Sequence, residues 1–147
     1  MKAGVAISPD TPSTAISDEL GHAADMLLVM TVYPGPITPL TSLHLLTYQL
    51  GRGGQKFLDR CVPKVAELRA RFPDKDIEVD GGVGPATVHA CADAGELSPV
   101  ALAPTPTPFS GSNVIVAGTA IFAAQEPDKV IATLKAVVNA ALAKRST

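Results

Sequence analysis

No apolar run among the 147 residues approaches the ~20 needed to span a bilayer, so a transmembrane helix within this sequence is excluded and no membrane partner is expected. Twelve Lys and Arg stand interleaved with fourteen Asp and Glu, for a net charge of −2. That balance offers no basic face, so a nucleic-acid partner is not expected. Cysteine is scarce, with Cys61 and Cys91 alone and no CxxC spacing. A thiol-built zinc or redox site is thereby disfavoured, and two buried free thiols of a cytosolic protein are expected. The opening residues Met1 to Ile7 lack the apolar stretch and cleavage site of a signal peptide, so the expected location is the cytoplasm. No GxGxxG turn occurs, which weighs against a dinucleotide fold. The histidines His22, His44 and His89 show no metal-ligand spacing and read as surface or packing residues.

What the chain does have is 46% hydrophobic residues, enough for one domain with a core. It is short for a complete (β/α)₈ barrel of about 250 residues. A single pattern recurs four times: an apolar run, a Gly- or Pro-marked turn, then an amphipathic helix. The runs are Ala3 to Ile7, Met26 to Val32, Ile77 to Val79 and Val114 to Ala117. The first helix is expected after Thr11, with Thr11 as its cap, Pro12 at its first position and Ala15, Ile16, Leu20 and Ala23 on its inner face. The second spans about Phe57 to Phe72, with Phe57, Cys61, Val65 and Leu68 inward and Arg69 and Arg71 at its negative end. Pro85 opens the third, Gly95 stops it, and the last begins near Pro127. Strands alternating with helices predict a parallel α/β sheet. Pattern alone leaves open whether that sheet is doubly wound or part of a barrel.

In α/β barrels, chemistry gathers at the C-terminal ends of the strands. Those ends supply Ser8, Met30-Thr31, Asp80-Gly81-Gly82 and Gly118-Thr119. A carboxylate followed by two glycines suits a site, because glycines let backbone N–H groups approach an anion. It suits a simple turn equally well, since Asp-Gly is a common turn pair. Gly81-Gly82 together with Gly118-Thr119 match the phosphate site formed by the last two loops of a barrel. Gly53-Gly54 precedes a helix, where amides and the helix dipole favour anions.

Five ordered blocks carry a resemblance: 1–12, 25–35 (DMLLVMTVYPG), 53–57 (GGQKF), 77–87 (IEVDGGVGPAT) and 113–122 (NVIVAGTAIF). Together they closely resemble ribulose-phosphate 3-epimerase, a metal-dependent (β/α)₈ barrel. The resemblance implies the C-terminal half of that barrel, about four βα units in a single domain over residues 1–147. It implies interconversion of D-ribulose 5-phosphate and D-xylulose 5-phosphate by proton transfer at C3, with a phosphosugar as the small-molecule partner. It implies one divalent metal, Zn, Fe or Mn, holding the enediolate oxygens. Asp80 would be one of two proton-exchanging aspartates and a metal ligand. Gly81, Gly82, Gly118 and Thr119 would hold the phosphate, with Thr119 where the family usually has serine. Gly35, Gly53 and Gly54 match the glycines of the phosphate loop, and Met30 a methionine beside the substrate. A hexulose-phosphate synthase is disfavoured by EVDGG combined with GGQKF.

Two departures accompany the resemblance. The first strand corresponds to the family's fifth, which places a serine, two metal-binding histidines and the second aspartate outside this sequence. One carboxylate is a weak metal site and serves one face of an enediolate, so this chain alone is expected not to epimerise efficiently. The alternative is a non-catalytic half-barrel that binds phosphate or associates with itself, because four strands leave two open edges. Residues 36–52 and 96–112 interrupt the family pattern, the second carrying Pro99, Pro104, Pro106 and Pro108. They are similar in length and unlike their surroundings, and are expected to be translated introns, with Met1 an internal methionine used as a start.

Overall fold

A computed structural model describes residues 1–33, 54–94 and 111–144. The expected insertions, apart from Gly111 and Ser112, lie outside the described residues, as do Gly35, Gly53 and Gly95. Four strands form, β1 (Gly4–Ile7), β2 (Met26–Met30), β3 (Asp76–Asp80) and β4 (Val114–Val116). All three pairings are parallel, in the order β1-β2-β3-β4. The helices are α1 (Asp18–Ala23), α2 (Val62–Arg71), α3 (Val88–Ala92), α4 (Gly118–Phe122) and α5 (Pro127–Lys144). No helix among the described residues is long and apolar enough to cross a membrane.

Strand order and burial together decide between barrel and open sheet. A doubly wound sheet reverses its order at a switch point and covers both faces with helices. Here the order never reverses. On one face Ile7, Leu27, Val29, Ile77 and Val79 are buried in one core with Cys61, Val65 and Leu68 of the α2 segment and Leu134 and Val138 of α5. On the other, Ala6 and Val116 are exposed and Leu28, Met30, Glu78 and Asp80 only partly buried. Helices therefore cover one face, and the second faces where a barrel interior would be. This is the arc of four successive βα units of a (β/α)₈ barrel.

Several boundaries differ from the sequence expectation. Thr11 caps no helix; its hydroxyl pairs with that of Ser8 at 2.8 Å. A short 3₁₀ turn, Ser13–Ala15, comes first, and α1 starts only after Ser17, whose Oγ accepts from the Leu20 amide at 3.2 Å. Its inner face is Ile16, Gly21 and Ala24, while Ala15, Leu20 and Ala23 are exposed. The packing of Phe72 explains this shift: a Cβ on Gly21 would overlap the Phe72 ring. The second helix is a 3₁₀ turn, Asp59–Cys61, running into α2, and Phe57, Cys61, Val65 and Leu68 are buried as the spacing predicts. Pro85 does not open α3, because Thr87 first folds back on the preceding turn.

Arg69 lies fully buried beneath the N-terminal ends of the strands. Its guanidinium donates to the carbonyls of Gly111 (3.0 Å), Pro73 (2.9 Å) and Lys75 (2.6 Å) and to Asn113 Oδ1 (2.8 Å). Asn113 in turn donates to Asp76 Oδ1 at 2.7 Å and accepts from the Ile77 amide at 2.8 Å. A buried cation is tolerable only when its donors are met, and here carbonyls on both sides, Pro73 and Lys75 after α2 and Gly111 before β4, meet them together with Asn113.

Candidate active site

Register brings the strand ends to one level: Met30 lies opposite Asp80, and Asp80 opposite Val116, all on the open face. Glu78 projects from the same face of β3, one rung lower. Burial, and then the Asp80 charge, push the Glu78 carboxyl up from the ordinary carboxylate range.

The turn after Asp80 depends on its glycines. Gly81 has φ 116° and Gly82 φ 67°, a region that side chains with a Cβ occupy at a cost of about 1–2 kcal/mol. Space excludes a Cβ as well. At Gly81 it would overlap the Val32 side chain, and at Gly82 it would lie 2.7 Å from the Phe57 amide nitrogen and 2.9 Å from the Gln55 carbonyl. The Asp-Gly-Gly segment is thus a turn, and one whose backbone lies directly on residues 55–57. Thr87 closes its far side, its hydroxyl accepting from the Gly84 amide at 3.0 Å and lying 3.2 Å from the Gly82 carbonyl.

Gly54 (φ 82°) belongs to the same cluster, since a Cβ there would come within 3.9 Å of Thr119 Cγ2. The structure therefore brings Gly54 to Thr119 and Gly82 to residues 55–57, with Asp80 and Gly81 immediately before Gly82 in the chain. Gly118 opens α4, and around a Cβ placed on it nothing lies within 4 Å; packing does not explain that glycine. Gly35 and Gly53 lie outside the described residues. Met30 stands beside Asp80, partly buried.

Thr31 organises this corner and was not singled out from sequence beyond its place at a strand end. It is fully buried. Its amide donates to the Asp80 carbonyl at 2.8 Å, and its hydroxyl reaches the carbonyls of Asp80 (3.1 Å) and Gly81 (2.5 Å). Its own carbonyl accepts from the Leu58 amide at 2.9 Å. The signal was present: a hydroxyl ending an apolar strand needs buried acceptors.

A second group locks the neighbouring loops. Asp10 Oδ1 accepts from Tyr33 OH at 2.8 Å and from two Arg60 nitrogens at 3.0 Å, and the Arg60 guanidinium lies 5.6 Å from the Tyr33 ring centroid. The Tyr33 hydroxyl, then Arg60, hold the Asp10 carboxyl below its usual range. Lys64 Nζ donates to the carbonyls of Ser8, Pro9 and Thr11 at 2.7–3.0 Å, fixing the turn after β1. Gln55 Nε2 donates to the Tyr33 carbonyl at 3.1 Å.

As a metal centre the described residues are insufficient: no three His, Cys, Asp or Glu side chains among them converge. His22 sits on α1 with Nδ1 at 2.6 Å from the Asp18 carbonyl. His89 sits on α3 near Asp93. Asp80 offers one carboxylate, its cross-strand neighbours on the open face are Met30 and Val116, and the next carboxylate on that face is Glu78, two residues back along β3. Both cysteines are free and buried, and burial pushes the Cys91 thiol up to about 12.

Comparison with known proteins gives this corner its context. A sequence model of the ribulose-phosphate 3 epimerase family matches residues 1–102. The chain is 40% identical over 135 residues to the ribulose-phosphate 3-epimerase of Schizosaccharomyces pombe, covering 92% of this chain and 45% of that protein. Over 145 residues it is 40% identical to the one from Eremothecium gossypii, with 99% and 47% covered. It is also 36% identical over 141 residues to the cytoplasmic isoform from Oryza sativa subsp. japonica, with 95% and 48% covered. The chain thus spans about half the length of the curated relatives it matches. With a family match over more than half its residues and a half-barrel whose glycine turns gather around a strand-end aspartate, this chain belongs to the ribulose-phosphate 3-epimerase family.

Proposed function

We propose that the chain carries half of the active site of an enzyme that interconverts D-ribulose 5-phosphate and D-xylulose 5-phosphate. What supports this reading is the set of glycine turns, Gly54 against Thr119 and Gly82 against residues 55–57, next to the strand-end Asp80. The glycine turns and the Thr119 hydroxyl supply donors for a phosphate, with Gly118 leaving room for its close approach. A phosphate held there would set the sugar across the mouth, toward Asp80 and Met30.

The C3 proton is acidified by the neighbouring C2 carbonyl, and Asp80 exchanges it on one face as base or as acid. Inversion needs a second acid/base on the opposite face, which the described residues do not supply. A divalent ion, Zn, Fe or Mn, would take Asp80 as one oxygen ligand and stabilise negative charge on the substrate oxygens. Its remaining ligands would have to come from outside the described residues, so no step is assigned through it. The expected location is the cytoplasm, as in the name of the rice relative.

A phosphate-binding half-barrel without turnover is the second reading. It is favoured by the same glycine cluster, which requires nothing from the other half. Purified 1–147 with Zn²⁺, Fe²⁺ or Mn²⁺ distinguishes the two: ribulose 5-phosphate conversion and phosphate-ester binding are followed side by side. Binding with very slow or no turnover is the expected result for this chain alone. Turnover that disappears in Asp80→Asn would establish a complete enzyme, and loss of binding in the parent would sink both readings.

A further inference from the structure

We propose that Arg60 is a positioning residue for the phosphate grip, acting through Tyr33 on the segment that packs against the Gly82 turn. The proposal rests on the phosphate reading above and deepens it. Its residues come from three places that the parallel strands bring to one end of the sheet. Asp10 follows β1, Tyr33 follows β2, and Arg60 stands in the 3₁₀ turn that leads into α2.

Residues 55–60 are held to the end of β2 at three points. At their start the Gln55 side-chain amide donates to the Tyr33 carbonyl at 3.1 Å. In their middle the Leu58 amide donates to the Thr31 carbonyl at 2.9 Å. At their far end Arg60 donates to the Tyr33 hydroxyl, its guanidinium 5.6 Å from the centre of that ring. Tyr33 thus takes both ends, one on its backbone and one on its side chain. Asp10 fixes the second end in turn: its Oδ1 accepts from the Tyr33 hydroxyl at 2.8 Å and from both terminal Arg60 nitrogens at 3.0 Å. A guanidinium suits this task, because a planar fork of several donors holds a carboxylate and a hydroxyl at once.

What this segment touches gives the clasp its consequence. A Cβ built on Gly82 would lie 2.7 Å from the Phe57 amide nitrogen and 2.9 Å from the Gln55 carbonyl, and one built on Gly54 would lie 3.9 Å from Thr119 Cγ2. Backbone packed that closely has no slack, so a shift of residues 54–57 displaces the Gly82 turn or carries Gly54 away from Thr119. In folding the clasp counts for little: the Arg60 and Asp10 side chains are 52% and 64% exposed, and an exposed pair is solvated and screened. Binding is more exacting, because donors displaced by about 1 Å lose much of their hold on a ligand. The clasp therefore matters to the grip far more than to the fold.

The test titrates inorganic phosphate into the isotope-labelled full chain and reads the dissociation constant from the amide shifts of Gly54, Gly82 and Thr119. Arg60→Met and Tyr33→Phe should each raise that constant about tenfold, with urea midpoints close to the parent's. Tyr33→Phe removes no charge, so its loss is not one of general electrostatics. The double variant should be no weaker than the worse single one, because both act through the same contact, and Arg60→Lys should restore part of the affinity. Losses that multiply in the double variant overturn the proposal and make Arg60 a direct partner of the anion. An affinity that falls only in step with the urea midpoint also overturns it, leaving Arg60 a merely structural residue. Parent-like affinity in both single variants overturns the positioning role alone, whereas a parent that binds no phosphate overturns the phosphate reading and this proposal with it.

Discussion

A buried hydroxyl is costly unless it is answered, and Thr31 answers its own by gripping the turn that carries Asp80. The glycines of that turn do different work, and two substitutions separate them. Gly82→Ala forces a side chain into positive φ against the Phe57 amide, and should lower unfolding free energy in urea by about 2–3 kcal/mol. Gly118→Ala meets open space, so its denaturation midpoint should match the parent while affinity for a phosphate ester falls; unchanged affinity would remove Gly118 from the phosphate site. Arg69→Met strands several buried carbonyls and should cost about 3 kcal/mol or more, read from the same urea curves. The Asp80-Gly81-Gly82 cluster was legible because rare residue types announce special backbone. Thr31 and Arg69 were not: the Asp80 carbonyl lies 49 residues from Thr31 and the Gly111 carbonyl 42 from Arg69, contacts that only the fold creates.

At the level of elements, strands and the inward stripe of α2 followed directly from apolar periodicity. The start of α1 did not. Thr11-Pro12 has the local chemistry of a helix start, yet the tertiary fit of Gly21 against Phe72 and the ties of Lys64 to the β1 turn delay it to Ser17. Arg71 then fastens α1 to α2 through Asp18, whose carboxyl that guanidinium holds below the ordinary range. A depressed folded-state value contributes stability that is present above the unfolded value of about 3.9 and is lost as pH falls through the folded value. Asp18→Asn should therefore lower the thermal midpoint slightly at neutral pH, with the difference from the parent vanishing in strong acid.

At both interruptions of the family pattern, described residues on the two sides are hydrogen-bonded to one another. Tyr33 and Gln55 are joined by a hydrogen bond. On the other side Gly111 and Ser112 donate to the Ala92 and Cys91 carbonyls at 2.7 and 3.0 Å, and a Cβ on Gly111 would overlap the Cys91 carbonyl. Gly111 and Ser112, expected in the second insertion, are thus packed against α3. Replacing 36–52 by one aromatic residue should leave circular dichroism unchanged and raise stability by about 1 kcal/mol, since each halving of a loop returns roughly 0.6 kcal/mol of closure entropy. A loss of cooperative unfolding would show that the segment is part of the core.

At the scale of the whole sheet, the face that no described helix covers dominates. Half the strand residues alternate toward a side that no helix among the described residues covers, so β2 is apolar throughout yet Met26, Leu28 and Met30 are only partly buried. The sequence pattern of a barrel strand is written for neighbours on both sides, and it is the same whether or not they are present.

The bond between Tyr33 and Gln55 has a consequence for how such a site can change. Tyr33 and Gln55, joined by a hydrogen bond next to the Gly82 turn, hold that turn independently of the sequence that stands between them. The mouth of the barrel is thereby open to innovation by insertion: a novel recognition segment could be acquired in one step, next to old chemistry, with the inherited core left as it was.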